Sequence, residues 1–184
     1  MVTLNAGILS VGNYGRTNME DYKMIREHCC CFTGHRPEKL LPQWDEQTVV
    51  EALEKEICQA ITDGFTTFLT GMARGVDIWA GETVLRLRDA RTPIHLICAS
   101  PYAGFESRWS VNWQQRYNAI MQAADHVNFI CPGYSRSCFQ TRNIWLVDHR
   151  ARVIAVYNGQ PGGTRNTLQY AKKQGICAII LAPN

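Results

Sequence analysis

The chain has 184 residues, of which 46% are hydrophobic and 19% charged, and its formal net charge is +3. That length suits one ordinary domain with its own core, and that balance excludes a disordered chain. The mild basic excess argues neither for nor against nucleic acid, since a strong footprint needs clustered Lys and Arg, and no apolar run approaches the roughly 20 residues of a membrane span.

Residues 1–28 carry Gly7, Gly12, Asn13, Gly15 and Asn18 as punctuation and show little periodicity. They are expected to be a partly ordered extension, with a short helix over 20–28. A basic stretch followed by an apolar one is missing here, so no secretory signal is expected and a cytoplasmic chain is. From residue 29 the chain alternates. Residues 29–33 form a short apolar run, followed by a Gly-His-Arg-Pro turn. Over 45–63, Val49, Leu53, Ile57, Ala60 and Ile61 fall at helical spacing, and Gly64 ends the helix. Residues 66–70 are β-branched and aromatic, hence a strand. A helix is predicted over 76–87, a strand over 94–99 after Pro93, and a helix over 109–123. A strand over 126–130, a helix over 139–149 and a strand over 152–157 come next. A helix over 164–174, stopped by Gly175, and a strand over 176–181 complete the series.

This alternation predicts βαβ units. The expected fold is a single Rossmann-like three-layer α/β domain over 29–184, with a mainly parallel sheet of about five to six strands and helices on both faces. Right-handed crossovers place the strand-to-helix loops on one edge, where ligands of such folds bind. The eight cysteines do not suggest zinc or disulfides. Cys29, Cys30 and Cys31 are adjacent and so alternate across a strand. Cys58, Cys98, Cys131, Cys138 and Cys177 are scattered without a C-x-x-C pair. Reduced core thiols and no metal site are expected.

Three loops on the predicted edge stand out. After the first strand, Gly34 lets a ligand approach the backbone, Arg36 can clamp a phosphate, and His35 offers a proton or a polar contact. After the second, Gly71, Ala73, Arg74, Gly75 and Asp77 lead into a helix whose N–H groups suit an anion. Asp77 falls in its first turn, placed to cap the helix or to hold a ribose hydroxyl. After the fifth, Gly162 and Gly163 permit close approach. Thr164 suits the N-cap, and its hydroxyl or that of Thr167 can meet a phosphate. Pro101 and Tyr102 follow the third strand, where Tyr102 can stack on a base or pack in the core. Arg142 and Asn143 sit near the start of a helix, within reach of the edge. Asp148, further along, serves structure. Trp109, Trp113 and Tyr117 recur every fourth residue, a core or subunit-interface stripe rather than a cofactor box. Trp79, Trp145, His95 and His126 read as structural.

In combination, Thr-Gly-His-Arg-Pro at 33–37, Gly-Met-Ala-Arg-Gly-Val-Asp at 71–77, Pro101-Tyr102 with Trp109, and the stretch 157–171 resemble the YpsA-like family of the SLOG superfamily. The resemblance covers residues 29–183. Ala-Arg-Gly-Val-Asp at 73–77 is also similar to the motif of DprA-type DNA-processing proteins, another SLOG branch. The superfamily fold is Rossmann-like, and the resemblance implies a nucleotide or nucleotide-derived ligand. LOG-type phosphoribohydrolases of the same superfamily carry P-G-G-x-G-T-x-x-E with a catalytic Glu. Here Pro161, Gly162 and Gly163 are kept, but Arg165, Asn166 and Gln169 replace the later Gly, Thr and Glu. Gln cannot serve as a carboxylate base or stabilise oxocarbenium-like charge, so LOG-type catalysis is not expected.

Three functions are therefore weighed. The first is binding or sensing of a nucleotide or ADP-ribose-like ligand, with no required cofactor and with action through a protein partner or a homo-oligomer left open. The second is a nucleotide hydrolase using Asp77, Glu82 or Glu106. The third is a DprA-like single-stranded DNA accessory, which the weak basic balance disfavours.

Overall fold

A computed structural model describes residues 26–40, 43–90 and 92–182. Most of the expected extension over 1–28, and most of its helix over 20–28, lie outside the described residues.

Six parallel strands form one sheet: β1 (Cys29–Gly34), β2 (Thr67–Thr70), β3 (His95–Ser100), β4 (His126–Phe129), β5 (Arg152–Val156) and β6 (Cys177–Leu181). Their spatial order is β4-β3-β2-β1-β5-β6, with Cys31 beside both Leu69 and Val153 and Gly34 beside Val156. The helices are α1 (Pro37–Leu40), α2 (Glu46–Thr62), α3 (Val76–Asp89), α4 (Val111–Ala123), α5 (Cys138–Asp148) and α6 (Gly163–Lys173). The expected α/β architecture is the observed one, with every strand pair parallel. The single-turn α1 was read from sequence as a plain turn. Its Pro37 supplies the fixed φ that suits a first helical residue.

The first strands step outward from β1, and then the chain returns to the other side of β1 to build β5 and β6. Crossovers of constant hand therefore put the helices on opposite faces. On one face Leu53 and Ile57 of α2, Trp79 and Val84 of α3, and Tyr117 and Ile120 of α4 pack over Cys30, Phe32, Phe68 and Leu96. On the other, Leu146 and Val147 of α5 and Ala171 of α6 pack over Cys29, Cys31, Leu69 and Val153. The cysteine triplet thus divides between the two layers, as strand alternation requires. Burial raises the Cys29 thiol to about 11 and the Cys31 thiol to about 12, so both act as small apolar side chains. Asp45 caps α2 by accepting the Thr48 N–H at 2.8 Å.

The predicted aromatic stripe packs inward. Trp113 meets Trp79, Trp109 stands edge-on to Tyr117, and the Tyr117 hydroxyl donates to Ser100 Oγ at 2.7 Å. Among the described residues, no helix is long and apolar enough to cross a membrane. This topology matters because the chain leaves β1 toward one face and β5 toward the other. A crevice therefore opens between their carboxyl ends.

Candidate functional site

That crevice is a cleft of about 430 Å³. Four segments meet in it. The loop after β1 brings Gly34, His35, Arg36 and Lys39, and the loop after β2 brings Ala73 and Asp77. α5 contributes Phe139, Arg142 and Asn143, and the start of α6 contributes Gly163 and Thr164.

The floor is an ion pair. Arg142 Nη1 donates to Asp77 Oδ2 at 2.9 Å, with the two side chains only 8% and 4% exposed. The same carboxylate oxygen accepts the Ala73 N–H at 3.2 Å. Burial pushes the Asp77 carboxyl up, while Arg142, the Ala73 N–H and Arg36 pull it down. Gly71 explains how the guanidinium fits. A Cβ built there would lie 1.6 Å from Arg142 Nη1 and 2.8 Å from Asp77 Oδ2, so only glycine leaves room for the pair. Met72, the next residue, is fully buried in the left-handed region at φ 63°. A non-glycine residue there carries strain of about 1–2 kcal/mol. The Met72 N–H donates to Thr70 Oγ1 at 3.3 Å, and Thr70 Oγ1 donates to the Asp77 carbonyl at 2.7 Å, which ties the loop to the start of α3.

The β1 and β2 loops lock together. A Cβ on Gly34 would meet the Val76 side chain at 2.4 Å. Gly75, at φ 88°, lies against Pro37 and the His35 carbonyl. Above them the rim is ionic. Arg74 pairs with Glu38 at 2.8 Å, and Lys39 Nζ donates to the Pro161 carbonyl at 2.9 Å. Arg36 is exposed, with no carboxylate partner among the described residues.

Two buried nitrogens have no hydrogen-bond partner here, Arg142 Nε and His35 Nε2. Burial, followed by nearby Lys39, lowers the His35 pKa, so its ring is neutral at neutral pH. α6 begins beside them, with Gly162 preceding it at φ 150°. The first N–H groups of a helix have no intrahelical acceptor, so this end presents donors and positive dipole to the cleft.

Most of the predicted site residues converge here. Gly34, His35, Arg36, Ala73, Asp77, Arg142, Asn143, Gly163 and Thr164 line the cleft, and Gly71, Arg74, Gly75 and Gly162 shape or brace it. Others do not. Thr167 is buried, and its hydroxyl donates to the Gly163 carbonyl at 2.9 Å, a bond within the helix. Tyr102 packs edge-on against Phe105, Tyr134 and Phe139, and Pro101 is buried with its carbonyl accepting the Cys131 N–H at 2.9 Å. These two support Phe139 rather than line the cleft. Thr164 is the second residue of α6, not its cap, because Gly162 holds that position. Gln169 lies on another side of the same helix, in a groove against β6, so a carboxylate there would not line the cleft. Glu82 is paired with Arg116, and Glu106 lies in the loop after β3. Of the three acids weighed for hydrolysis, only Asp77 lines the cleft.

Sequence reasoning passed over Glu38, Lys39 and Phe139. A signal for Phe139 existed, since 139, 142 and 143 stand at i, i+3 and i+4 and so share a helix face.

A parallel six-stranded sheet with glycine-bearing strand-to-helix loops gathered at its switch point defines a Rossmann-like α/β domain. A model of the YspA SLOG family matches residues 30–176, and the chain belongs to that family. A UPF0398 protein of Halalkalibacterium halodurans is 30% identical over 129 residues, covering 68% of each chain. The SPbeta prophage-derived protein YoqJ of Bacillus subtilis is 33% identical over 118 residues, covering 58% of this chain and 69% of that one. Among solved structures, DNA processing protein A of Streptococcus pneumoniae superposes with a TM-score of 0.61 at 16% identity. The match covers 86% of this chain and 51% of that one, so the chain spans about half the length of that protein. The Helicobacter pylori counterpart, described for its single-stranded DNA binding mode, gives 0.59 at 18% identity over 89% and 68%. At such identities the likeness is one of fold.

Proposed function

We propose that this domain binds a phosphate-bearing nucleotide or nucleotide-derived ligand in the switch-point cleft and acts as a binding or sensing module. One observation carries the reading. The amino end of α6, the exposed Arg36 and Lys39, and the side chains of Arg142 and His35, each with a buried nitrogen that has no hydrogen-bond partner among the described residues, line one cavity. Donors and positive charge gathered at a helix N-terminus are what an anionic group needs. A cavity of about 430 Å³ falls within the range of small-molecule sites. Binding is favoured over hydrolysis because Asp77 is held by Arg142 and the Ala73 N–H, which leaves it poorly placed to act as a free base.

A thermal-shift titration over nucleoside mono-, di- and triphosphates, dinucleotides and ADP-ribose tests this. A true ligand at 100 times its Kd adds about 2.7 kcal/mol of stability. No shift with any member of the panel would overturn the reading. Release of free base or phosphate from any of them would move the assignment to a hydrolase.

A second reading, single-strand DNA binding, is favoured by the Ala-Arg-Gly-Val-Asp loop standing on a DprA-like fold. It requires affinity for oligonucleotides that falls steeply with salt. Absence of binding at low salt removes it.

A further inference from the structure

A second cavity, of about 470 Å³, lies between α6 and β6, away from the cleft. Among the described residues β6 is an edge strand, bonded only to β5, so its outer backbone groups have no strand partner there. Ala178 and Ile180 of β6, Ile176 before it and Leu168 of α6 give the groove an apolar lining, and Ile180 is 53% exposed. Arg165 and Lys172 stand in its wall. On α6, Thr164, Thr167 and Ala171 are the buried residues, whereas Arg165, Leu168 and Lys172 recur at i, i+3 and i+7 along the groove side. Leu168 also touches the core beneath α6, while Arg165 and Lys172 on the same side of the helix are exposed.

The charge around this groove is one-sided. Residues 149–184 contain five Lys or Arg and no Asp or Glu. Arg150 is buried and Arg152 is paired with Asp63 at 2.6 Å. That leaves Arg165, Lys172 and Lys173 without a carboxylate partner among the described residues. A second copy docked by two-fold symmetry would set this acid-free surface against itself. An acidic partner would instead find complementary charge.

We propose that the groove receives an extended, acidic segment of another protein, which adds to β6 as a seventh strand. Its backbone would pair with the free edge. Apolar side chains at alternate positions would cover Ile180 and Leu168, and carboxylates would meet Arg165 and Lys172.

Fluorescence anisotropy with two labelled peptides tests the proposal, one alternating Glu and Val, the other alternating Lys and Val. The acidic peptide is expected to saturate the protein, and the basic one to bind roughly tenfold more weakly or worse. In Arg165→Glu/Lys172→Glu the order of the two should invert, and in Ile180→Asp both should be lost. Ile180 lies outside the ligand cleft and away from the amino end of α6, so the nucleotide thermal shift should persist in Ile180→Asp. A failure here is thereby separable from a failure of the cleft reading. Equal binding of both peptides, or binding of neither at millimolar concentration, overturns the proposal. So does concentration-dependent dimerisation that Ile180→Asp abolishes, which would assign the surface to a second copy.

Discussion

Two arginines are buried at opposite ends of this sheet. At the carboxyl edge, Arg142 is paired with Asp77, lies over Gly71, and lines the cleft. At the amino edge, Arg150 is 0% exposed and none of its guanidinium nitrogens has a hydrogen-bond partner among the described residues. Burial lowers its pKa, with Cys31 the largest opposing influence. One site holds a charge that the fold pairs with a carboxylate. The other holds a charge that the fold bears at a cost. The contrast separates an arginine fixed by a carboxylate from one without a hydrogen-bond partner among the described residues, and burial alone would not have separated them.

Substitutions can break this comparison. The largest effect is expected from Asp77→Ala, which leaves Arg142 buried without its carboxylate and should cost about 3–5 kcal/mol in denaturant unfolding. A loss under 1 kcal/mol would mean that the pair does not hold the floor. Arg150→Met should go the other way, raising stability by roughly 1–4 kcal/mol, because a buried guanidinium without a hydrogen-bond partner among the described residues is replaced by an apolar side chain of similar length. A fall in Tm would show that Arg150 has a role of its own. Arg36→Ala should leave stability within about 0.5 kcal/mol, since the side chain is exposed. It should nevertheless weaken the strongest nucleotide found, by roughly tenfold. Equal affinity would exclude Arg36 from the ligand.

The smallest effect concerns pH. His35 titrates in the fold below its ordinary value of 6.5. Its neutral form therefore contributes stability fully present above 6.5 and lost as pH falls through the lower folded value. His35→Gln should flatten the part of the stability decline that lies below about pH 6.5. An unchanged pH profile would show that His35 is not held neutral by the fold.

The sequence carried much of this arrangement. Strand and helix periodicity located every element after residue 28 except the single turn α1, which is too short to show a period. Glycines at 34, 71, 75, 162 and 163 marked the loops, since close approach or unusual φ is written directly in residue identity. What periodicity could not tell was which side of a helix meets which neighbour. Phe139 shares a face with Arg142, but only the packing of α5 against the sheet turns that face to the cleft. Thr167 and Gln169 follow the glycine turn as Thr164 does, yet successive residues on a helix point about 100° apart, so one is buried and the other lines the outer groove. Of the two roles open to Tyr102, packing is the observed one. It leaves the correct edge of the sheet, but Phe105, Tyr134 and Phe139 gather around its ring.

The central claim is that the switch-point cleft is where the ligand sits. Solving the structure with the panel's strongest ligand tests it most directly. The account predicts a phosphate within hydrogen-bonding distance of the Thr164 N–H and Arg36, with Arg142 still on Asp77. A ligand bound elsewhere, or a cleft left empty at saturating concentration, would contradict it.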